Sequence, residues 1–309
     1  MTRALMVVLG ALAGYLLFGA AGSLGAGAVL VNLFTPLPAA VVGMRVGPAW
    51  GAAAVGLTAV AITATSGALP VTLYLVQFGL PAALLPWLLS RGVHWDRAVV
   101  ATLGLMLGAG LVVLAGFASG AGQSPVAFVG AQIEREIDQA VALMSDFAGS
   151  EQSPEEAEAF REMAASMGAF MRRAYPAMLV VVGAVLQLVT VGLLALVVRP
   201  QRLPGPSFGN WRSPELLIWG VIAAGFAVVF SSGAVQDVAL NLLIILLPLY
   251  FLQGLAVVEH LLARRGVSLL LRGLCYLFLM LVNPLPVIVT AVGVFDLWAD
   301  FRKPRLNKD

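Results

Sequence analysis

Charged side chains are scarce in this chain: only 11% of its 309 residues are Asp, Glu, Lys or Arg. Soluble domains carry about 25%, and 60% of this sequence is hydrophobic, so a soluble globular protein is excluded. The 18 Lys and Arg exceed the 16 Asp and Glu by only two, a balance that argues for no polyanionic partner and sets nucleic acid aside. The single cysteine, Cys275, permits neither an intrachain disulfide nor a thiolate metal cluster. Of the two histidines, His94 lies beside Trp95 and Asp96, and His260 follows Glu259 without a second His at ligand spacing. Neither a G-x-S-x-G nucleophile elbow nor a phosphate-cradling P-loop occurs. These absences set three expectations: the chain is not an enzyme, it holds no metal or cofactor, and it hydrolyses no ATP itself.

What the sequence has in quantity is long apolar runs. They lie at about 4–21, 28–44, 49–65, 70–89, 98–118, 176–198, 215–230, 238–258, 267–282 and 287–298. A helix crosses the hydrocarbon core with about 20 apolar residues, so the expected fold class is all-α: a polytopic integral membrane helix bundle of about 8–10 segments. Arg3 followed by an apolar run resembles a signal peptide, but the further segments make it a first span. The last two segments are short and separated by Asn283-Pro284-Leu285-Pro286, which no helix continues through unbent. They fit either two crossings or a re-entrant hairpin. Gly22 to Gly27 reads as a turn or a soft point in one helix.

Orientation follows from the cations, which accumulate in short cytoplasmic loops. With ten crossings and an internal N-terminus, 14 of the 18 Lys and Arg fall inside. They are Arg3, Arg45, Arg91, Arg97, Arg199, Arg202, Arg212, Arg264, Arg265, Arg272, Arg302, Lys303, Arg305 and Lys308. Both termini are therefore expected in the cytoplasm of a bacterium, with the chain multi-pass in its inner membrane.

The remaining four cations lie in residues 119–175 beside nine acids. Long loops translocate largely regardless of charge, so this acidic segment is assigned to the outer side as a helical hairpin. Its first helix carries Val129, Ile133, Ile137, Val141, Met144 and Phe147 at close to helical spacing. Its second opens with Ser153-Pro154-Glu155-Glu156, a cap followed by a first-turn proline and acids. The apolar side of that helix is Phe160, Met163, Met167, Phe170 and Met171. The hairpin reads either as a solvated packing element or as a lid over an outward-facing cavity. Arg172 and Arg173 sit on the outer side against the charge rule. The expected organisation is 1–118 membrane helices, 119–175 insert, 176–298 membrane helices and 299–309 basic tail.

Asp237, Glu259 and Asp296 fall at segment boundaries. Buried charge in a bilayer marks ion pathways or proton relays, so its scarcity argues against a self-sufficient coupled pump. The candidate substrate-binding residues are the amides Asn32, Gln77, Gln187, Asn241 and Gln253, which either contact a ligand or bond between helices. Trp50, Trp87, Trp211, Trp219 and Trp298 read as interfacial anchors. Gly10, Gly14, Gly43, Gly47, Gly51, Gly104 and Gly108 recur at four-residue spacing and are candidates for close helix packing or for docking a membrane partner.

Thr35-Pro36-Leu37-Pro38 leads into a span that ends at Arg45-Val46-Gly47-Pro48 and turns through Gly51 towards Ile62. This stretch resembles the substrate-binding S components of energy-coupling-factor vitamin transporters, which have near six helices. The whole chain resembles the YybS-like family of bacterial multi-pass membrane proteins. The residues that carry this are Phe34 to Pro38, Arg45 to Gly47, Trp211-Arg212-Ser213-Pro214-Glu215, and Gly293 through Lys303. Ser213-Pro214-Glu215 reads as a helix cap, and Arg302 and Lys303 as a tail against anionic lipid. The resemblance implies an S-component-like first half. Two functional expectations stand. One is a transport-related protein that binds a small neutral or amphiphilic solute and depends on an ATP-hydrolysing partner. The other is a non-transporting scaffold or assembly factor of the envelope with an envelope-protein partner.

Overall fold

The computed structural model describes residues 2–21, 24, 27–148, 154–198 and 203–303; among these are thirteen α-helices and no strand. Ser153, Arg199, Arg202, Arg305 and Lys308 lie outside the described residues, as do most of Gly22 to Gly27 and the side chains of Met144 and Phe147. The chain divides into two compact units, Met1–Phe128 with Val182–Gly205, and Val129–Val181 with Pro206–Asp309.

The first unit contains α1 (Arg3–Ala21), α2 (Ala28–Asn32), α3 (Leu37–Val46), α4 (Pro48–Ser66), α5 (Ala68–Tyr74), α6 (Leu80–Ser90) and α7 (Trp95–Gly120). The last turns of α9 (Pro154–Val198) complete it. Its core gathers Val7, Ile62, Tyr74, Phe78 and Leu186. Phe18 stands edge-on to Tyr74, with ring centroids 5.5 Å apart.

The expected reversal at Gly47 is present. Gly47 takes φ 128°, open to glycine and not to L side chains, and Pro48 begins α4. A Cβ on Gly51 would lie 2.7 Å from the Gly43 Cα, so the two helices approach this closely only with glycine at 51, while a Cβ on Gly43 would instead meet Pro86 of α6 at 2.8 Å. Arg45, at the end of α3, donates to the Val197 carbonyl at 3.0 Å and covers a carbonyl in the last turn of α9. A π-helical turn, Leu75–Gly79, joins α5 to α6 in one 23-residue run.

The second unit contains α8 (Pro125–Ala148) from Val129 onward, the first part of α9, α10 (Leu217–Phe230), α11 (Ala234–Arg264), α12 (Leu269–Leu281) and α13 (Leu285–Ala299). α11 packs against α10 and α13. A Cβ on Gly254 would overlap the Val289 carbonyl, and one on Gly293 would overlap the Tyr250 carbonyl. The two backbones are therefore in direct contact. The bond between Asn283 and Pro284 is cis, and α12 meets α13 at a bend of 105°.

Each of the ten apolar segments contains α-helix, with 28–44 broken by a turn at 33–36. Among the described residues, six helices are long and apolar enough to cross a membrane: Arg3–Ala21, Pro48–Ser66, Ala68–Ser90, Trp95–Gly120, Glu158–Val198 and Ala234–Arg264. Leu30–Val46 and Leu217–Phe230 are shorter apolar helices, and α12 with α13 form the bent pair. The architecture is an all-α polytopic helix bundle.

One helix crosses the division drawn at 175–176. α9 runs unbroken for 45 residues through Tyr175 and Pro176. Val129, Ile133, Ile137 and Val141 are half-buried, and Ile137 packs on Gly168 of α9. The expected apolar side of the second helix is uncovered: Met163, Met167, Phe170 and Met171 are all exposed. Arg172 and Arg173, anomalous by the charge rule, have partners. Arg172 pairs with Glu134 at 3.4 Å, and Arg173 with Asp237 at 2.5 Å and Gln236 at 3.0 Å.

Candidate functional site: buried polar groups in each unit

Polar atoms inside apolar helices must find partners or cost free energy, so each one identifies a place where the structure does something other than pack. In the first unit the buried polar residues are Thr35, Thr58, Thr102, Gln187 and Thr190, and among the described residues no buried acid or base joins them. Thr58 of α4 donates to the Ala11 carbonyl of α1 at 3.1 Å, beside Gly14. Thr190 donates to Leu186 within its own helix. With its amide oxygen and nitrogen exchanged, the assignment its surroundings satisfy, Gln187 donates to the Val99 carbonyl at 3.1 Å and accepts from the Leu103 amide at 3.3 Å, fastening α9 to α7. Three buried oxygens have no hydrogen-bond partner: Asn32 Oδ1, Thr35 Oγ1 and Thr102 Oγ1.

The second unit buries Ser213, Gln253, Asp296 and Arg302 as one connected cluster. Gln253, immediately before Gly254 at the α11–α13 crossing, donates to Asp296 Oδ2 at 3.4 Å and accepts from the Ser213 amide at 3.0 Å and from the Ser213 hydroxyl. Arg302 Nη2 donates to the same Asp296 Oδ2 at 3.0 Å, while its Nη1 donates to the carbonyls of Trp211 at 2.7 Å and Gly209 at 3.1 Å. Asp296 Oδ1, Arg302 Nε and Tyr250 Oη are buried without partners. Around this core, Asp300 takes Arg212 and Lys303.

Three sequence expectations are corrected here. Arg302 does not face lipid; it is buried against Asp296, because the left-handed backbone at Asp300 (φ 43°) turns the chain back on α13. Trp211 is buried rather than interfacial, whereas Trp50, Trp87, Trp219 and Trp298 are exposed. Ser213 is not a helix cap: α10 begins at Leu217, and the serine hydroxyl serves Gln253.

The five candidate amides divide between the two units. Asn32, Gln77 and Gln187 belong to the first unit and lie on different helices, with Gln77 exposed on the π-helical turn. Asn241 and Gln253 belong to the second and have separate partners. Asn241 accepts from the Ala177 amide at 3.0 Å and donates to the Arg173 carbonyl at 2.7 Å. It thereby serves the α9 turn that Pro176, lacking an N–H, loosens.

Of the glycines, Gly10, Gly14, Gly43 and Gly51 face other helices closely, Gly47 forms the turn, and a Cβ on Gly104 or Gly108 would meet nothing within 4 Å. Asp296, Arg302 and Ser213 were not among the sequence candidates. A buried role for Asp296 has one sequence signal: an acid placed three residues after Gly293 in an otherwise apolar run.

Two open apolar grooves accompany these groups. One of about 340 Å³ lies between α4 and α6, lined by Pro48, Ala49, Ala52, Ala83, Leu84 and Trp87. The other, of about 490 Å³, lies between α11 and α12.

Helices of this length and composition, with polar side chains turned inward to one another, define a multi-pass α-helical membrane protein. Residues 12–297 match the family described as "Predicted membrane protein (DUF2232)", and the chain belongs to it. That description places the family in membranes, and the match supports neither the YybS-like resemblance nor the S-component likeness. No curated protein and no solved structure matches the chain.

Proposed function

We propose that the protein is transport-related: its first unit binds a small neutral or amphiphilic solute between helices and relies on a separate energising partner, such as an ATP-hydrolysing module. The observation that carries this reading is the set of unpartnered buried oxygens, Asn32 Oδ1, Thr35 Oγ1 and Thr102 Oγ1, in a unit without buried charge among its described residues. Leaving such a group unsatisfied costs about 1–3 kcal/mol, and a solute with hydroxyl or amide donors relieves that cost. In this reading the protein is not an enzyme and sits in the bacterial inner membrane with both termini cytoplasmic.

A second reading, a non-transporting scaffold of the envelope, is favoured by the pairing of Gln187, Asn241 and Gln253 within the protein. Affinity purification from the native membrane in mild detergent, followed by mass spectrometry, separates the two. Transport is supported by recovery of an ATPase with a bound metabolite that is lost from the Thr102→Val and Asn32→Leu variants. Recovery of envelope-assembly proteins with no metabolite overturns it.

A further inference from the structure

α12 is an apolar helix that buries none of its residues, with Leu270, Leu274, Leu277, Phe278 and Leu281 at least half exposed. It is fastened to α11 through a polar clamp. Arg272 Nη1 donates to Glu259 at 2.7 Å, Arg272 Nε donates to the Val267 carbonyl at 2.8 Å, and the Tyr276 hydroxyl donates to Glu259. Beside the clamp the helices stand apart, leaving the 490 Å³ groove lined by Val258, Leu262, Leu274, Cys275, Phe278 and Leu279.

The end of this groove is marked by charge. α11 finishes at Arg264, and Gly266 (φ 69°) turns the chain so that the Val267 amide donates to the Leu262 carbonyl at 3.1 Å. This turn places the Arg264 and Arg265 positions next to Leu262, the last α11 residue of the groove. Both arginines are exposed, and neither guanidinium has a partner among the described residues. Glu259, the nearest acid on α11, is already taken by Arg272. An apolar slot ending in two unsatisfied cations is complementary to an amphiphile with an anionic head.

We propose that the α11–α12 groove holds an acyl chain of an anionic phospholipid whose phosphate rests against Arg264 and Arg265. The site is independent of the solute reading of the first unit. It explains how a helix without a buried residue remains in place: lipid completes its packing, and the polar clamp sets its register.

The test uses the full-length protein in mild detergent, titrated with phosphatidylglycerol or phosphatidylcholine of matched chains. Native mass spectrometry counts bound lipid, and the alkylation rate of Cys275, the only cysteine in the chain, reports on the groove. Phosphatidylglycerol is expected to bind in preference and to slow alkylation. Each of Arg264→Gln and Arg265→Gln should weaken its binding roughly fivefold and leave phosphatidylcholine unaffected. The Lys variants at both positions should retain the preference, and Arg97→Gln in the first unit is the control. Equal binding of the two lipids overturns the proposal, as does phosphatidylglycerol binding that leaves Cys275 alkylation unchanged. A stable dimer that shields Cys275 without added lipid also overturns it, since a second copy then fills the groove.

Discussion

Asp296 and Arg302 form a buried ion pair of 3.0 Å across the chain reversal at Asp300, the only non-glycine residue with positive φ among the described residues. The arginine spends Nη1 on the Gly209 and Trp211 carbonyls, so one guanidinium joins the segment after α13 to the segment before α10. Carboxylate Oδ1 and guanidinium Nε are left without partners. The pair is thus held by one strong contact, with Gln253 completing the hydrogen bonding of Oδ2.

Removing one partner of such a pair strands a buried charge, which costs about 3–5 kcal/mol. Asp296→Asn should therefore lower the unfolding midpoint in detergent sharply, while Asp296→Leu combined with Arg302→Met recovers much of the loss. Thermal unfolding of the three proteins checks this. A single variant within experimental error of the parent refutes the assignment.

Glycines of similar appearance in the sequence should behave in opposite ways. Gly254→Ala or Gly293→Ala drives a methyl into a backbone carbonyl of the facing helix and should cost more than about 3 kcal/mol, at the upper end of overpacking penalties. Gly104→Ala meets open space inside a helix, and gains up to about 1 kcal/mol of helix propensity. Relative stabilities of the three variants decide this; the same loss in all of them contradicts it.

Asn241→Leu should cost about 1–3 kcal/mol, because the Ala177 amide and the Arg173 carbonyl lose the side chain that serves both. Arg173→Ala should cost less than about 1 kcal/mol, since its pair with Asp237 is nearly half exposed. Hydrogen exchange around Pro176 should rise in the first variant and remain near the parent level in the second.

Lys303 and Arg212, hydrogen-bonded to Asp300, hold its carboxyl below the usual value of 3.8. A depressed folded-state value stabilises the protein above the unfolded value and is lost as pH falls through the folded one. The segment at 300–303 should therefore stay anchored from neutral pH to about pH 5 and loosen only in strong acid. Arg212→Ala moves that loosening to higher pH. Hydrogen exchange at 300–303 across a pH series measures it, and an identical pH profile in the variant counts against the cause assigned.

Much of the helical architecture was legible in the sequence because hydrocarbon imposes a simple rule: long apolar runs must satisfy their own backbone and become helices. Gly47-Pro48 announced a reversal and Asn283-Pro284-Leu285-Pro286 a bend, since φ of the one and the missing N–H of the other restrict the chain locally. Polar side chains carry no such local mark. Gln253 and Gln187 look alike in sequence, yet one bonds a buried ionic cluster and the other the backbone of a neighbouring helix. Asp296 lies near a segment end by count, and its burial depends on how the chain beyond α13 returns.

By itself the sequence determined the solvent and the class of fold: scarce charge and repeated apolar runs leave a polytopic helical membrane protein, because burial of apolar surface and internal backbone bonding act residue by residue. Only the tertiary structure decided the partners. Whether Arg302 meets lipid or Asp296, whether Gly293 packs or lies open, and which oxygens remain unpaired all depend on contacts between segments distant in the chain. Those contacts are set by three-dimensional complementarity rather than by composition.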